Sequence, residues 1–436
     1  TVASKSFLVT IGDRSVGGLC ARDQMVGPWQ VPVADCAATL LSFQGYAGEA
    51  FAMGERTPIA VIHPQASGRM AVGEALTNIA AAPVELPLVK LSANWMAAAG
   101  FPGEDAALFD TVEAVATNLC RQLGVAIPVG KDSLSMRTAW EDGEGKHEVV
   151  APLSLVVTAF APCDDVRQVW TPCLARIEGA SDLVLIDLAN GRQRLGGSML
   201  AQVFNQTGND PPDLDEPNRI RRFFAAVAEL RASGAVLAYH DRSDGGLFTT
   251  ICEMAFAGHL GVTLNVDLLA FDALAVDVDG AERRPQAMLG RDAANVLAAL
   301  FAEELGAVIQ IAAGRRQEVL GLLRRHGLSG QVIGNVNDRD EIRIVRNAKA
   351  IFGMARADLQ RVWSEVSFHM QSLRDNPEAA RAEAERLTDR DDPGLFAHLT
   401  FDLGDDVAAP FIGRCVRPPI AILREQGVNG QIEMAA

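Results

Sequence analysis

Residues 235–257 read AVLAYHDRSDGGLFTTICEMAFA. The apolar start (235–239) has the length of a buried strand, the acid- and glycine-rich middle suits a turn, and 246–257 continues as a helix. A strand, a tight turn and a helix in 23 residues is one step of an alternating α/β layer. Outward from it the same alternation continues: strand 183–188 and helix 216–230 before it, then helix 292–305, strand 307–311, helix 315–325 and strand 332–333 after it. This alternation gives one domain at residues 176–348.

Before this domain the order is mixed. Runs 7–11, 38–43 and 58–62 read as short strands, and 104–123 reads as a helix because Leu108, Val112, Val115, Leu119 and Leu123 recur at spacings of three and four. Runs 125–129 and 149–161 again read as strands. A helix followed by such strands predicts an α/β (α+β) domain over 1–175. Residues 349–414 are mostly helical and polar, with Asn376-Pro377-Glu378 as a helix start. They form a linker. Residues 415–436 hold a strand at 420–423 and the beginning of a further domain.

The chain has 436 residues, 49% of them hydrophobic and 22% charged, which excludes disordered, collagen-like and coiled-coil classes. Its 39 Lys and Arg against 55 Asp and Glu leave a net charge of −16, so no global field draws nucleic acid or an anionic membrane. A local cationic pocket is still allowed. The seven cysteines form no C-x-x-C pair and fit buried thiols in a reducing cytoplasm. Every apolar stretch falls short of the roughly 20 residues that span a bilayer. The chain opens Thr-Val-Ala-Ser-Lys and ends Met-Ala-Ala, without initiator Met, signal peptide or helix stop. The expectation is a segment of a longer polypeptide.

The residues that could carry chemistry are acidic and lie near glycines. Asp35 stands at a strand entrance, Glu74 and Asn78 lie four apart on the expected helix 69–80, and Asp241 ends the strand of the opening motif. Carboxylates and an amide oxygen are hard donors suited to Mg²⁺. The helix start at Gly246 should leave backbone N–H groups for an anion. Together these suggest a Mg²⁺-nucleotide site, although Asp241, Asp244 and Ser243 could equally be helix caps and Glu74 with Asn78 a solvated helix face. The stretches Gly12–Gly18 and Gly130-Lys131-Asp132-Ser133 read as turns that set a cation beside an acid, without the spacing of a Walker A loop. His240 reads as packed and hydrogen-bonded, and no zinc-hydrolase histidine pattern or G-x-S-x-G elbow occurs.

The stretches GDRSVGGLCARDQMVGPWQVPVADCA, MAVGEALTNIA, LVKLSANWM, PVGKDSLSM, YHDRSDGGL and GRDAANVL together resemble the large, single-chain phosphoribosylformylglycinamidine synthases of purine biosynthesis. WSEVSFHMQSLRDNP resembles that family's linker, and RPPIAILREQGVNG the opening of its glutamine amidotransferase domain. The resemblance implies the second of two synthetase halves, each built like aminoimidazole ribonucleotide synthetase. It also implies ATP- and glutamine-dependent conversion of formylglycinamide ribonucleotide to the amidine. Carried over residue by residue, it implies Mg²⁺ ligands at Asp35, Glu74, Asn78 and Asp241, and contacts to ATP or ADP at Ala34, Ser243, Lys5 and Lys131. The partners implied are the first synthetase half and the amidotransferase, neither present here, so two copies of the segment could pair in their stead. A non-catalytic nucleotide-binding scaffold and a stand-alone aminoimidazole ribonucleotide synthetase-like enzyme are the alternatives.

Overall fold

The computed structural model describes residues 2–12, 16–271, 285–414, 417–427 and 430–435, with only the helical backbone for 285–291. It divides into residues 1–394 and 395–436. In the first unit, strands β1 (Leu19–Arg22), β2 (Ala37–Leu40), β3 (Gly48–Glu55), β4 (Lys90–Met96), β5 (Ala126–Ser133) and β8 (Ser154–Cys163) form one sheet in the order β1-β2-β3-β8-β4-β5. Between β5 and β8, strands β6 (Arg137–Asp142) and β7 (Gly145–Val150) pair as a separate hairpin.

Strands β9 (Ser181–Asp187), β10 (Val236–Asp241), β11 (Gly261–Asn265), β12 (Gly306–Ala312), β13 (Ser329–Asn337), β14 (Glu341–Arg346) and β15 (Lys349–Ala355) make a seven-stranded sheet. Its order is β10-β12-β9-β13-β11-β14-β15. The α/β expectation holds for both layers. All seven residues of β9 are buried, as a strand covered on both faces should be.

Several local expectations are corrected. Residues 6–9 close a helical turn instead of a strand, because that short run has no partner strand and Val9 N–H donates to the Lys5 carbonyl. Residues 57–60 are also helical, with Pro58 in the first turn where its missing N–H costs nothing. The expected strand 149–161 is two, β7 and β8, separated by Ala151-Pro152-Leu153, where proline withholds a ladder donor. Helix 104–123 is continuous, but its middle, Glu113–Leu119, is π-helical, so Val115, Leu119 and Leu123 are buried while Val112 is exposed. The turn expected at Gly130 lies inside β5. The 349–414 segment begins with β15 of the second sheet before it turns helical at Arg356–Arg374 and Pro377–Arg386. Asn376 caps the latter, accepting from the N–H groups of Glu378 and Ala379. In the second unit residues 420–423 are not a strand, having no ladder partner there, and Gln431–Ala435 is a short helix. No helix among the described residues is long and apolar enough to cross a membrane.

Two contacts set up the site. The helix Pro64–Ile79 lies on β3 and β8 so closely that a Cβ on Gly54 would come 2.2 Å from the Ala71 carbonyl oxygen and 2.4 Å from the Ala75 nitrogen. Backbone cannot yield as a side-chain tip can, so Gly54→Ala is expected to cost about 3 kcal/mol or more. A urea midpoint unchanged from wild type would refute that account. The second contact is the loop before β2, whose Val26, Val31 and Val33 are buried with the Gly246–Gly258 helix and strands β9 and β11. Asp35 is thereby brought from the first sheet's side to the end of β10.

Candidate functional site

Asp35 and Asp241 meet. The Asp35 side chain is fully buried, and its Oδ1 accepts the Asp241 N–H at 2.9 Å. The same oxygen is 2.8 Å from His240 Nδ1, and the other ring nitrogen, Nε2, is 3.0 Å from Glu253 Oε2. Asp35, His240 and Asp241 offer ligand atoms within 4.8 Å of one another, all buried. Ser243 Oγ stands 3.5 Å from Asp241 Oδ1. The Oδ2 atoms of both Asp35 and Asp241 are buried without a hydrogen-bond partner. A buried, unpartnered carboxylate oxygen is costly, and two of them from one cluster of acids suit a cation.

The electrostatics agree. Burial first, and then the Asp35 charge, pushes the Asp241 carboxyl up to about 8. Burial pulls His240 down, but the carboxylates of Asp35 and Glu253 outweigh it and raise the ring well above its ordinary value. Each group is perturbed in the direction expected of a cluster short of positive charge.

Glu74 and Asn78 do share a face of the Pro64–Ile79 helix, and that face is turned to β3 instead of solvent. Glu74 Oε2 accepts the Glu55 N–H at 2.8 Å, and Asn78 Nδ2 donates to the Met53 carbonyl at 2.9 Å. Glu74 belongs to a second charged group around Arg56. That guanidinium lies 3.8 Å from Glu74, donates to Asp244 Oδ1 at 2.8 Å and reaches Glu303 Oε2 at 3.2 Å. Burial raises the Glu74 carboxyl, Arg56 lowers it, and Asp241 and Asp244 raise it again, so Glu74 feels the Asp241 charge without joining the tight cluster. Arg56 stands between the two sheets and ties the Asp244 loop to β3.

The start of the Gly246–Gly258 helix corrects an expectation. The Gly245 N–H is taken by Glu303 Oε1 at 2.8 Å, and the Gly246 N–H by the Ser243 carbonyl. Glu303 also accepts the Met199 N–H at 2.8 Å. A protein carboxylate thus already serves part of the helix end that was expected to face an anion.

Ala34 is half-buried one residue before Asp35. Lys5 and Lys131 are exposed and make no contact with the acidic cluster. Lys131 sits on β5 opposite Asn94, and Lys5 precedes the short helix Ser6–Val9. The N-terminal segment nonetheless reaches the site, because a Cβ on Gly245 would meet the Val2 side chain at 2.9 Å. Residues 13–15 of the first glycine stretch lie outside the described residues. Glu253, Glu303 and Arg56 were not anticipated from sequence. One signal was present for Glu253, a lone acid in the apolar run ICEMAFA, since a carboxylate there needs a partner.

Residues 4–162 match the FGAR-AT PurM_N-like domain, and residues 182–347 match the C-terminal domain of AIR synthase related proteins. Among solved structures, PurL of Thermotoga maritima complexed with FGAR aligns with a TM-score of 0.57 at 14% identity, covering 75% of this chain and 48% of that one. The ADP complex of that protein gives 0.53 at 13% identity, covering 77% and 47%. The ATP complex gives 0.50 at 16% identity, covering 77% and 48%. At such identities the likeness establishes the fold, and the chain spans about half the length of these relatives. The chain thus carries an FGAR-AT PurM_N-like domain followed by an AIR synthase related C-terminal domain.

Proposed function

We propose that this chain is a synthetase half of an enzyme that converts formylglycinamide ribonucleotide to the amidine with ATP, and that its Asp35–Asp241 site holds Mg²⁺ and an adenine nucleotide. The observation that carries the proposal is the pair of buried, unpartnered Oδ2 atoms, one from the loop before β2 and one from the end of β10. The donor set is oxygen-only once His240 is spoken for by two carboxylates, which suits a hard cation. Asp35 and Asp241 would hold Mg²⁺ directly. Glu74 and Asn78 would complete the set from the Pro64–Ile79 helix, and Ala34 and Ser243 would lie beside the nucleotide. Bound Mg²⁺ would offset negative charge on the phosphates. The chain's own contribution is to keep the two aspartates oriented and dry. The nucleotides named for the Thermotoga maritima relatives support the choice of ADP and ATP. Lys5 and Lys131 would reach the phosphates.

The test is calorimetric titration of the chain with ADP, with and without Mg²⁺. Binding that strengthens with Mg²⁺ is expected, and ADP binding indifferent to Mg²⁺ would reject the site.

We also propose where the other half docks. Phe51, Met53, Val129 and Phe160 share the face of the first sheet opposite the Pro64–Ile79 helix, and Met53, Val129 and Phe160 are exposed there. Exposed apolar side chains on an open sheet face favour association. The chain alone is expected to form dimers through it at micromolar concentration. Sedimentation showing only monomer would count against this surface.

A further inference from the structure

We propose that Glu253 is a positioning residue for the cation site: through His240 it holds Asp35 so that one carboxylate oxygen is tied and the other is left to the metal. The inference rests on the Mg²⁺-nucleotide reading of the site. Ionised carboxylates only accept hydrogen bonds, and both ring nitrogens of His240 face one, at 2.8 Å to Asp35 and 3.0 Å to Glu253. The ring is thus held between two carboxylates, with both of its nitrogens engaged, inside the Asp35–Asp241 cluster. Asp35 Oδ1 receives a second donor, the Asp241 N–H, at 2.9 Å. Two donors on one oxygen fix the rotation of the carboxylate. Oδ2, buried and unpartnered, is then the oxygen that faces a cation.

Glu253 is what fixes the ring. It projects from the Gly246–Gly258 helix, which directly follows the Asp241–Gly245 loop, so one rigid element carries both the tether and the end of the site. Without that tether the imidazole could turn about its own side-chain bonds, and Asp35 would lose the partner that orients it. Partners behind a metal ligand typically matter by roughly 10- to 100-fold in metal affinity. The Glu253 side chain is 19% exposed, so its removal leaves water access to His240 instead of a sealed void.

The experiment is a Mg²⁺ titration of ADP binding by the full 436-residue chain. Glu253→Ala is expected to raise the Mg²⁺ concentration at half-saturation by roughly 10- to 100-fold, with metal-free ADP affinity unchanged. Glu253→Gln is expected to stay near wild type, because its amide can pair with Nε2 as donor or acceptor. A purely structural role would weaken both forms of binding together and would show no rescue by glutamine. Either of those results, or an unchanged Mg²⁺ midpoint in Glu253→Ala, overturns the positioning role. Should Glu253→Ala fail to fold, His240→Asn is expected to show the same selective loss, and an unchanged midpoint there overturns it equally. Wild-type chain without any Mg²⁺ dependence would instead sink the underlying reading, and this inference with it.

Discussion

Asp241→Asn is expected to abolish the response to Mg²⁺-ADP and, in the same protein without metal, to flatten the dependence of stability on pH. The Asp241 carboxyl is raised from 3.8 to about 8, by burial first and by Asp35 next. Between those values the folded chain holds a proton that the unfolded chain has released, so metal-free stability falls as pH rises through that window. Each pH unit inside it is worth up to about 1.4 kcal/mol. His240, also raised, adds to the fall above its unfolded value of 6.5. A cation that replaces the Asp241 proton reverses the trend, and its stabilising effect therefore grows toward pH 8. Asparagine neither titrates nor offers a charge. Thermal melts of wild type and variant from pH 5 to 8, with and without Mg²⁺-ADP, separate the cases, and parallel pH slopes would refute the assignment. Asp35→Ala removes a ligand and also the acceptor of His240 and of the Asp241 N–H. It is expected to lose roughly 100-fold or more in Mg²⁺-ADP affinity, and unchanged binding would rule Asp35 out as a ligand.

Sequence patterns reveal the layers of this fold more readily than its site. The alternation around Ala235 needs only local period and turn residues, so strands β9, β10 and β12 and the helices Asn218–Ser233 and Gly246–Gly258 are readable within a few residues. Runs of equal apolarity at 6–9 and 57–60 are helical because a strand also needs a neighbour, which no local pattern encodes. In the site, the identity of Asp35 and Asp241 as hard donors was legible, and their meeting was not, since it depends on Val31 and Val33 anchoring a loop of the first domain in the core of the second. Arg56 and Glu303 were illegible for the same reason. They lie 247 positions apart, and only the packed structure shows the guanidinium reaching Glu303 and Asp244 at once. The helix terminus at Gly246 is only partly free, because Glu303, which takes the Gly245 N–H, comes from beyond another helix.

No amidine product is expected from this chain alone, even with ATP, Mg²⁺ and ammonia supplied. Phosphoryl transfer needs little covalent help from a protein but strict placement of nucleotide, metal and acceptor, and that placement accounts for most of the rate. The proposed site supplies placement for a nucleotide and a cation. Its carboxylates are buried, His240 is held between two of them, and Arg56 is surrounded by acids, so none of these groups is free to receive a second, phosphate-bearing substrate. The chain spans about half the length of the PurL structures it resembles in fold. On the proposed reading, the groups that bind the acceptor belong to the other half. Ammonia would replace only an amidotransferase. The discriminating assay measures ammonia-dependent product from the chain alone and after mixing with a separately made first half. Product only on mixing, blocked by Met53→Asp and Phe160→Asp on the open sheet face, is the expected result. Turnover by the chain alone would reject the divided site and favour a self-sufficient synthetase.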